Sequence, residues 1–218
     1  TLAPWLVGAN WLAFLWAVDQ HQVMEASLGY FLTPLVNILL GLAVLKERLD
    51  GAEWASVALA LAAVANEFIA LGSLPWIALF LGGTFGLYGL VRKRVAVESI
   101  SGFWLETLAM LPPILAYTAW QNSQGHAVFT GFDPRTQVLL ALAGVMTALP
   151  LMFFAAATQR LNLATVGMLM YINPTLQFLT AVAIFHEPLR PARLVSFGLI
   201  WIGLVLYSWS GWRKYRKA

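Results

Sequence analysis

The chain has 218 residues, of which 60% are hydrophobic and only 11% carry a charged side chain. Soluble domains carry about 25% charged residues, so a soluble fold of this size could not keep so much apolar surface away from water, and soluble enzymes and binding modules are excluded. The net charge is +3, but the basic residues form short clusters at the ends of apolar segments, which indicates membrane topology rather than nucleic-acid binding. Because the sequence has no cysteine, disulfides, thiolate metal sites and cysteine nucleophiles are excluded as well.

Apolar runs between polar, Gly or Pro residues predict eight membrane-spanning helices, because a spanning helix needs about 20 mostly apolar residues. In chain order these runs are 2–18, 24–45, 52–71, 74–91, 101–120, 136–158, 163–185 and 192–211. Every connection is short except 121–135, so no extramembrane domain is predicted. The predicted fold class is an all-α membrane protein, a polytopic helical bundle.

Basic residues are divided unequally between the two ends of the predicted helices. Ten of the 13 Lys and Arg residues lie on the side where the first segment starts, and three lie on the other side, Arg135, Arg190 and Arg193. The cytoplasmic side of an inner-membrane protein carries the excess of Lys and Arg, so we expect the first side to face the cytoplasm. Residues 212–218 then form a cytoplasmic basic tail, and the chain is a multi-pass protein of the bacterial inner membrane.

Two stretches of the chain, 28–49 and 168–189, form an internal repeat. The first reads LGYFLTPLVNILLGLAVLKERL and the second reads MLMYINPTLQFLTAVAIFHEPL. A shift of 140 residues aligns five pairs of side chains: Phe31 with Tyr171, Pro34 with Pro174, Asn37 with Gln177, Glu47 with Glu187 and Leu49 with Leu189. A helix and its shifted partner lie five segments apart in chain order, for example the second and the seventh. Because five is odd, the two copies must insert in opposite senses, as in transporter folds built from inverted repeats.

The repeat divides the chain into a first copy, 1–71, and a second copy, 74–211. The second copy contains five predicted helices and the first only three, and Thr1 already borders an apolar segment. If both copies are built alike, counterparts of 74–91 and 101–120 precede residue 1. We therefore expect an inverted five-plus-five arrangement in which this chain supplies helices three to ten.

Seven short motifs are spread along the whole chain: Asn10-Trp11, EASLGYF at 25–31, PLVN at 34–37, ERL at 47–49, YGLVRK at 88–93, ET at 106–107 and YINPT at 171–175. Together they resemble the RarD-type permeases of the EamA branch of the drug/metabolite transporter superfamily. The resemblance implies ten helices in a five-plus-five inverted repeat around a central cavity, with the family's first two helices outside this chain. It also implies permeation or export of an amino acid, drug or metabolite.

Pro34 and Pro174 stand near the middle of their predicted helices and are the candidate hinges. A proline inside a helix removes one backbone hydrogen bond and clashes with the carbonyl four residues earlier, which frees the carbonyls of Tyr30 and Met170. Such groups are costly in hydrocarbon unless they face protein or a water-filled cavity. We therefore expect both kinks to face the bundle interior near the midplane, where inverted-repeat transporters bind substrate. A purely structural kink is the alternative.

Polar and aromatic side chains near these prolines are the candidate substrate-binding residues. Amides donate and accept hydrogen bonds and so suit a zwitterionic or neutral polar solute, whereas aromatic rings stack on an aromatic solute. The alternative for each amide is an interhelical hydrogen bond, and for each ring it is packing or lipid contact. The predicted cavity residues are Asn10, Trp11, Phe31, Asn37, Tyr88, Tyr171, Asn173 and Gln177.

Glu106 is the one carboxylate clearly inside a predicted segment. A charge at the bilayer centre costs about 2.5–3.5 kcal/mol on insertion scales. We therefore expect Glu106 to pair with Arg92, Lys93 or Arg94 on the same side rather than to relay protons. No cluster of His or carboxylate residues has metal-ligand spacing, and neither a metal nor a cofactor is predicted.

The leading interpretation is a secondary transporter that moves a small polar or amphipathic solute across the inner membrane by alternating access, with export favoured by the resemblance alone. Two other classes stay open, a channel or scaffold subunit without catalysis and an intramembrane enzyme. The enzyme would need a nucleophile–base pair or a metal cluster at one depth, and the sequence shows neither. The expected partners are the small-molecule substrate and the lipid bilayer. A homodimer is left open, and no nucleic acid is expected.

Overall fold

The structure is a computed structural model that describes residues 2–72, 74–125, 131–184 and 191–216. In these residues the chain forms helices and no strand, which confirms the predicted all-α class. The helices are α1 (Ala3–Asp19), α2 (Val23–Ala43), α3 (Gly51–Leu71), α4 (Trp76–Arg94), α5 (Ser99–Ser123), α6 (Pro134–Arg160), α7 (Leu163–Met170), α8 (Ile172–Ala183) and α9 (Pro191–Tyr215). Glu187, Leu189 and Arg190, which the repeat and the topology prediction use, lie outside the described residues.

Five stretches of these helices are long and apolar enough to cross a membrane: Glu25–Ala43, Gly51–Leu71, Ser99–Ser123, Pro134–Arg160 and Pro191–Lys214. Their outer surfaces carry large apolar side chains that the bundle leaves exposed, among them Val145, Phe153 and Val205. Soluble proteins rarely expose continuous apolar surface of this kind, whereas lipid covers it without cost. The chain is therefore an all-α membrane protein.

The predicted segment 163–185 is two helices rather than one. Helix α7 ends at Met170 and α8 begins at Ile172, and the Tyr171 amide between them donates to the Met168 carbonyl at 3.2 Å. Pro174 has no amide hydrogen to offer the Met170 carbonyl, so the helical hydrogen-bond ladder is interrupted here. At the other end of the chain, α9 continues into the predicted tail 212–218 as far as Tyr215.

Local sequence determines where several helices begin and end. Helix α3 starts at a capping box, in which the Asp50 carboxylate accepts from the Glu53 amide and the Glu53 carboxylate accepts from the Asp50 amide, both at 2.9 Å. Such reciprocal bonds satisfy amides that have no partner within the helix. Hydrogen bonds from the Ser210 hydroxyl and the Glu53 amide lower the pKa of Asp50 to about 2. The same helix ends at Gly72, whose φ of 72° is a left-handed conformation that glycine adopts without strain.

Helix α2 is the central element of the bundle and contacts both α4 and α7. Gly82 of α4 lies so close to α2 that a methyl group on it would stand 3.0 Å from the Leu32 side chain. Small residues allow membrane helices to approach this closely. On the α7 side, a methyl group on Gly167 would stand 2.5 Å from the Pro34 carbonyl oxygen. Helix α2 is therefore held between two closely packed neighbours.

Helices α3 and α9, which the repeat relates to each other, pack side by side and run antiparallel. Near one end, the Asn66 amide donates to the Ala192 carbonyl at 2.7 Å and to the Ser196 hydroxyl at 2.9 Å. Near the other end, the Lys214 ammonium donates to the Glu53 carboxylate at 2.7 Å. The start of α3 therefore lies beside the end of α9.

Helices α2 and α7 form the second pair of repeat partners in contact, and they too are antiparallel. The end of α2 at Gly41 lies beside the start of α7 at Ala164, and a methyl group on Gly41 would stand 3.1 Å from the Ala164 amide. Earlier along α2, Asn37 contacts Met170 at the end of α7. Each helix therefore packs against its own repeat counterpart in the opposite sense, as a shift of five predicted segments along the chain requires.

Candidate functional site

A cavity of about 340 Å³ lies between α1, α2, α4, α6 and the junction of α7 and α8. Sites for small molecules have volumes of about 300–1,000 Å³, so a small solute fits. The residues that line it are Asn10, Trp11, Phe14, Ala26, Gly29, Tyr30, Thr33, Leu81, Phe85, Met146, Thr147, Pro150, Leu151, Met170 and Asn173. None of these lining side chains is charged. Within the described part of the chain, no group of three His, Asp or Glu residues could hold a metal ion.

Each helix presents one face to the cavity. Residues three and four positions apart lie on the same side of a helix, and the lining residues of α2 follow this spacing from Ala26 through Tyr30 to Thr33. Asn10 and Phe14 of α1 are four positions apart, as are Leu81 and Phe85 of α4. The cavity is therefore formed by regular helix faces, with the α7–α8 break as its one irregular side.

Three of the predicted cavity residues line it: Asn10, Trp11 and Asn173. The Asn10 amide nitrogen donates to the Leu81 carbonyl and to the Thr84 hydroxyl, both at 2.8 Å, which ties α1 to α4. The Trp11 ring stands edge-on to Phe14 at a centroid distance of 6.2 Å. Asn173 lies just beyond the helix break, and its side-chain oxygen accepts from the Gln177 amide at 3.3 Å.

Phe31, Asn37 and Tyr171 are buried in the protein and do not line the cavity. Phe31 packs edge-on against Phe197 of α9 at 5.2 Å. Asn37 follows Thr33 by one turn, and its amide nitrogen donates to the Met170 sulfur at 3.1 Å. The Asn37 carbonyl oxygen and the Tyr171 hydroxyl have no hydrogen-bond partner among the described residues. Asn37 therefore lies directly behind Met170, which does line the cavity.

Tyr88 and Gln177 also lie away from the cavity. The Tyr88 hydroxyl donates to the Glu106 carboxylate at 3.2 Å, and its ring stacks on Phe154 at 6.0 Å. Gln177 is exposed on α8 and reaches the cavity only through its hydrogen bond to Asn173. The sequence pattern places these side chains in one predicted cavity, but in the folded protein they do not line it. Substrate contact by any of the eight predicted residues stays a prediction.

The two candidate hinges, Pro34 and Pro174, are both buried. The residues four positions earlier, Tyr30 and Met170, both line the cavity. These are the residues whose carbonyls the prolines leave without a helical partner. Both residues that the prolines affect in this way are therefore among those that line the cavity.

The prediction omits several lining residues, including Thr33, Phe85, Thr147, Pro150 and Met170. Three of them carry a signal in the sequence. Pro150 is a further proline inside a long apolar segment, Thr33 stands next to Pro34, and Met170 precedes Pro174 by four residues. Phe85 and Thr147 have no such signal, because their type and spacing are equally typical of helix packing.

Glu106 forms a buried ion pair with Arg92 at 3.2 Å, which confirms the predicted pairing. The Arg92 guanidinium also donates to the Ser99 carbonyl at 3.0 Å, and Gly102 leaves room for it beside α5. A buried ion pair is tolerated when hydrogen bonds satisfy its remaining atoms. The pair joins α4 to α5, and neither residue lines the cavity.

At the end of the bundle that carries most of the basic residues, Glu47 caps helix α7. Its carboxylate accepts from the Leu163 amide at 2.7 Å and from the Ala164 amide at 2.9 Å. Helix α7 has no side-chain cap of its own from Asn162, so the segment after α2 supplies the partner that the first amides need. Lys93 lies 3.9 Å from Glu47 and donates to the Leu161 carbonyl at 2.5 Å. The ends of α2, α4, α6 and α7 are joined here.

Residues 74–209 match the EamA-like transporter family. The chain belongs to the EamA-like transporter family. The match covers α4 to most of α9, which includes four of the lining residues on α6, both lining residues at the α7–α8 break, and the lining residues of α4. The family resemblance drawn from the seven sequence motifs is thereby confirmed.

Two bacterial relatives extend this family similarity to nearly the whole chain. An uncharacterized transporter of Pseudomonas aeruginosa is 42% identical over 213 residues, which cover 97% of this chain and 71% of the relative. Protein RarD of Escherichia coli is 44% identical over 205 residues, which cover 93% of this chain and 68% of the relative. A solved crystal structure aligns with a TM-score of 0.65 at 20% identity and covers 94% of this chain and 75% of that chain, which shows the fold alone. The EamA-like chain is thus a multi-pass membrane protein of a transporter family.

Proposed function

We propose that the protein is a secondary transporter that moves a small polar or amphipathic solute across the bacterial inner membrane by alternating access, in the direction of export. The observation that carries the proposal is the cavity at the α7–α8 break, between helices that the repeat relates. Transporters built from inverted repeats bind substrate near the midplane, beside discontinuous helices. The EamA-like family membership supports the same function.

The packing suggests how access would alternate. Helices α2 and α7 are repeat partners in direct contact, and the Glu47 cap closes their contact at one end of the bundle. Release of this cap would let α7 move away from α2 and open a path from the cavity to that end. We assign that end to the cytoplasm, because it carries most of the Lys and Arg residues.

Flux measurements in proteoliposomes test the transport function. We expect the purified protein to give saturable uptake of labelled solute from a panel of amino acids and neutral aromatic amides. Unlabelled solute inside the vesicles should accelerate that uptake, because alternating access couples the two directions. Thr147→Trp should abolish flux by filling the cavity, whereas Ile202→Trp, at a lipid-facing position of α9, should not. Flux that is linear in concentration and insensitive to internal solute would indicate a channel instead.

Cysteine labelling tests the proposed orientation, because the native sequence has no cysteine. A cysteine at Arg160, at the end of α6, should react with a membrane-impermeant maleimide only after the inner membrane is opened. A cysteine at Arg135, at the start of α6, should react in intact spheroplasts. The reverse pattern would place the C-terminus outside the cytoplasm.

A further inference from the structure

None of the described residues that line the cavity carries a charged side chain that could balance a charge on the occupant. The polar lining of the cavity consists of the hydroxyls of Tyr30, Thr33 and Thr147 and the amides of Asn10 and Asn173. The ion pair of Arg92 with Glu106 is buried, and neither of its residues lines the cavity. A solute that entered with a net or internal charge would lose hydration without gaining a counter-ion. An uncharged solute would lose much less hydration free energy on entering the cavity.

Asn10 faces the cavity as a hydrogen-bond acceptor. Its nitrogen must point toward Leu81, because the Leu81 carbonyl at 2.8 Å can only accept. The second amide hydrogen is used by Thr84, whose own hydroxyl donates to the Phe80 carbonyl at 2.7 Å and therefore accepts from Asn10. Both amide hydrogens are thus engaged within the protein, and the carbonyl oxygen is the part of Asn10 that remains for a ligand.

Asn173 can act toward a ligand as a hydrogen-bond donor, in contrast to Asn10. Its side-chain oxygen accepts from the Gln177 amide at 3.3 Å, so its own amide hydrogens remain for a ligand. Thr33 adds an acceptor, because its hydroxyl hydrogen is donated to the Gly29 carbonyl at 2.8 Å. The cavity therefore offers acceptors on α1 and α2 and a donor at the start of α8.

The apolar part of the lining favours a flat solute. Trp11, Phe14 and Tyr30 form a row of edge-on rings, with centroid distances of 6.2 and 6.4 Å. Met146 of α6 and Met170 of α7 also line the cavity. Aromatic edges and thioether sulfurs both make favourable contacts with an aromatic ring.

We infer that the cavity takes an uncharged, flat aromatic solute that donates a hydrogen bond to the Asn10 carbonyl and accepts one from the Asn173 amide. Aromatic amides and carbinols fit this class, and aromatic amines, carboxylates and zwitterionic amino acids do not. The inference rests on the proposed transport function and narrows its substrate.

Four derivatives of one side chain test the inference: N-acetyltryptophanamide is neutral, tryptophan is zwitterionic, N-acetyltryptophan is anionic and tryptophanamide is cationic. We expect the purified protein in nanodiscs to bind the neutral compound at least tenfold more tightly than each of the other three, by equilibrium dialysis. Asn10→Leu and Asn173→Leu should each weaken binding of the neutral compound. Asn122→Leu, near the end of α5 and away from the cavity, is the matched control and should leave this binding unchanged.

A charge introduced into the cavity gives a second test that does not depend on loss of function. Thr147 lines the cavity on α6, and its hydroxyl takes part in no hydrogen bond among the described residues. Thr147→Asp should shift the preference from the neutral compound to the cationic tryptophanamide. Thr147→Asn introduces a side chain of nearly the same shape as Asp but without its charge, and it should keep the preference for the neutral compound. Retained folding of both variants is checked by their melting temperature.

The outcomes separate this inference from the proposed function. If the wild-type protein binds and transports tryptophan or another charged member more effectively than the neutral amide, the substrate class is wrong and the transport function stands. The substrate class is also wrong if Thr147→Asp leaves the order of the four compounds unchanged. If no solute of any charge crosses proteoliposomes faster than through lipid alone, the proposed function itself fails.

Discussion

The two proline-bearing copies of the repeat fold differently. Helix α2 runs unbroken from Val23 to Ala43 through Pro34, whereas its counterpart divides at Tyr171, three residues before Pro174. In both copies a Thr next to the proline bonds a carbonyl four residues earlier, at 2.8 Å for Thr33 and for Thr175. A mid-helix proline with this local sequence is therefore compatible with either form.

The neighbours of each copy account for the difference. The spanning part of α2 is 61% buried, and α4 and α7 pack closely against it. Helix α8 contacts little of the described chain and leaves Ile172, Leu176 and Leu179 exposed. Packing on two sides holds α2 together across its proline, and the missing hydrogen bond interrupts the copy that lacks such support.

The largest expected effect follows from removal of the Glu47 cap, which joins the two copies. Glu47→Ala deletes two hydrogen bonds from a carboxylate to the Leu163 and Ala164 amides. Hydrogen bonds to charged groups contribute about 1.5–3 kcal/mol each, so we expect about 3 kcal/mol of lost stability, measured by thermal unfolding in detergent. Glu98→Ala is the matched control, because Glu98 is exposed and makes no side-chain cap on α5. Equal melting temperatures for the two variants would show that the cap does not hold the copies together.

The second-largest expected effect comes from disturbing the close contact between α7 and the Pro34 region of α2. Gly167→Ala places a methyl group 2.5 Å from the Pro34 carbonyl oxygen and 2.8 Å from the Ile38 side chain. Overpacking of this kind costs about 1–3 kcal/mol, and we expect a lower melting temperature. Gly144→Ala on α6 has nothing within 4 Å of the new methyl group and should leave stability unchanged or slightly raised. A Gly167→Ala protein as stable as Gly144→Ala would mean that α2 needs no close support from α7.

Replacement of each proline tests the break itself. Pro174→Ala restores an amide that can bond the Met170 carbonyl, and a proline in a helix interior costs about 3 kcal/mol relative to alanine. Because the native break already avoids part of this cost, we expect a gain of about 1 kcal/mol, seen as slower amide hydrogen exchange at 171–175. Substrate flux should fall, because the irregular side of the cavity becomes regular helix. Pro34→Ala should leave amide hydrogen exchange in α2 nearly unchanged, because α2 is already continuous. A similar slowing of exchange in both variants would mean that the two proline-bearing helices do not differ in continuity.

The smallest effect separates the symmetry-related amides Asn37 and Gln177. The Asn37 carbonyl is buried without a described partner, and its amide bonds only a sulfur, which is a weak acceptor. Asn37→Leu removes this unsatisfied group and should stabilise the protein by about 1 kcal/mol. Gln177→Leu, on the exposed side of α8, should stay within about 0.5 kcal/mol of wild type. Equal unfolding free energies for the two variants would mean that burial does not distinguish the two copies here.

Much of the fold could be predicted from the sequence because bilayer thickness turns hydrophobic length into helix boundaries. Seven of the eight predicted apolar runs correspond to single helices, with ends that differ by only a few residues, and 163–185 corresponds to two. The predicted cavity set is less accurate in its geometry. Asn10, Trp11 and Asn173 line the cavity, but Phe31 and Tyr88 face the protein interior. Side-chain type indicates what a residue could bind, whereas helix rotation decides what it contacts.

The sequence by itself determined the membrane class, the repeat, the positions of both prolines and the pairing of Glu106 with a nearby cation. These features depend on local composition, on spacing and on the cost of an unpaired charge in lipid. Only the tertiary structure decided that α2 stays whole while its counterpart breaks, that Glu47 caps α7 more than a hundred residues away along the chain, and that Asn37 lies behind Met170. The physical reason is that two related local patterns have different neighbours in the fold. The packing that keeps one helix continuous and leaves the other broken comes from residues distant in the chain, so the local sequence does not reveal it.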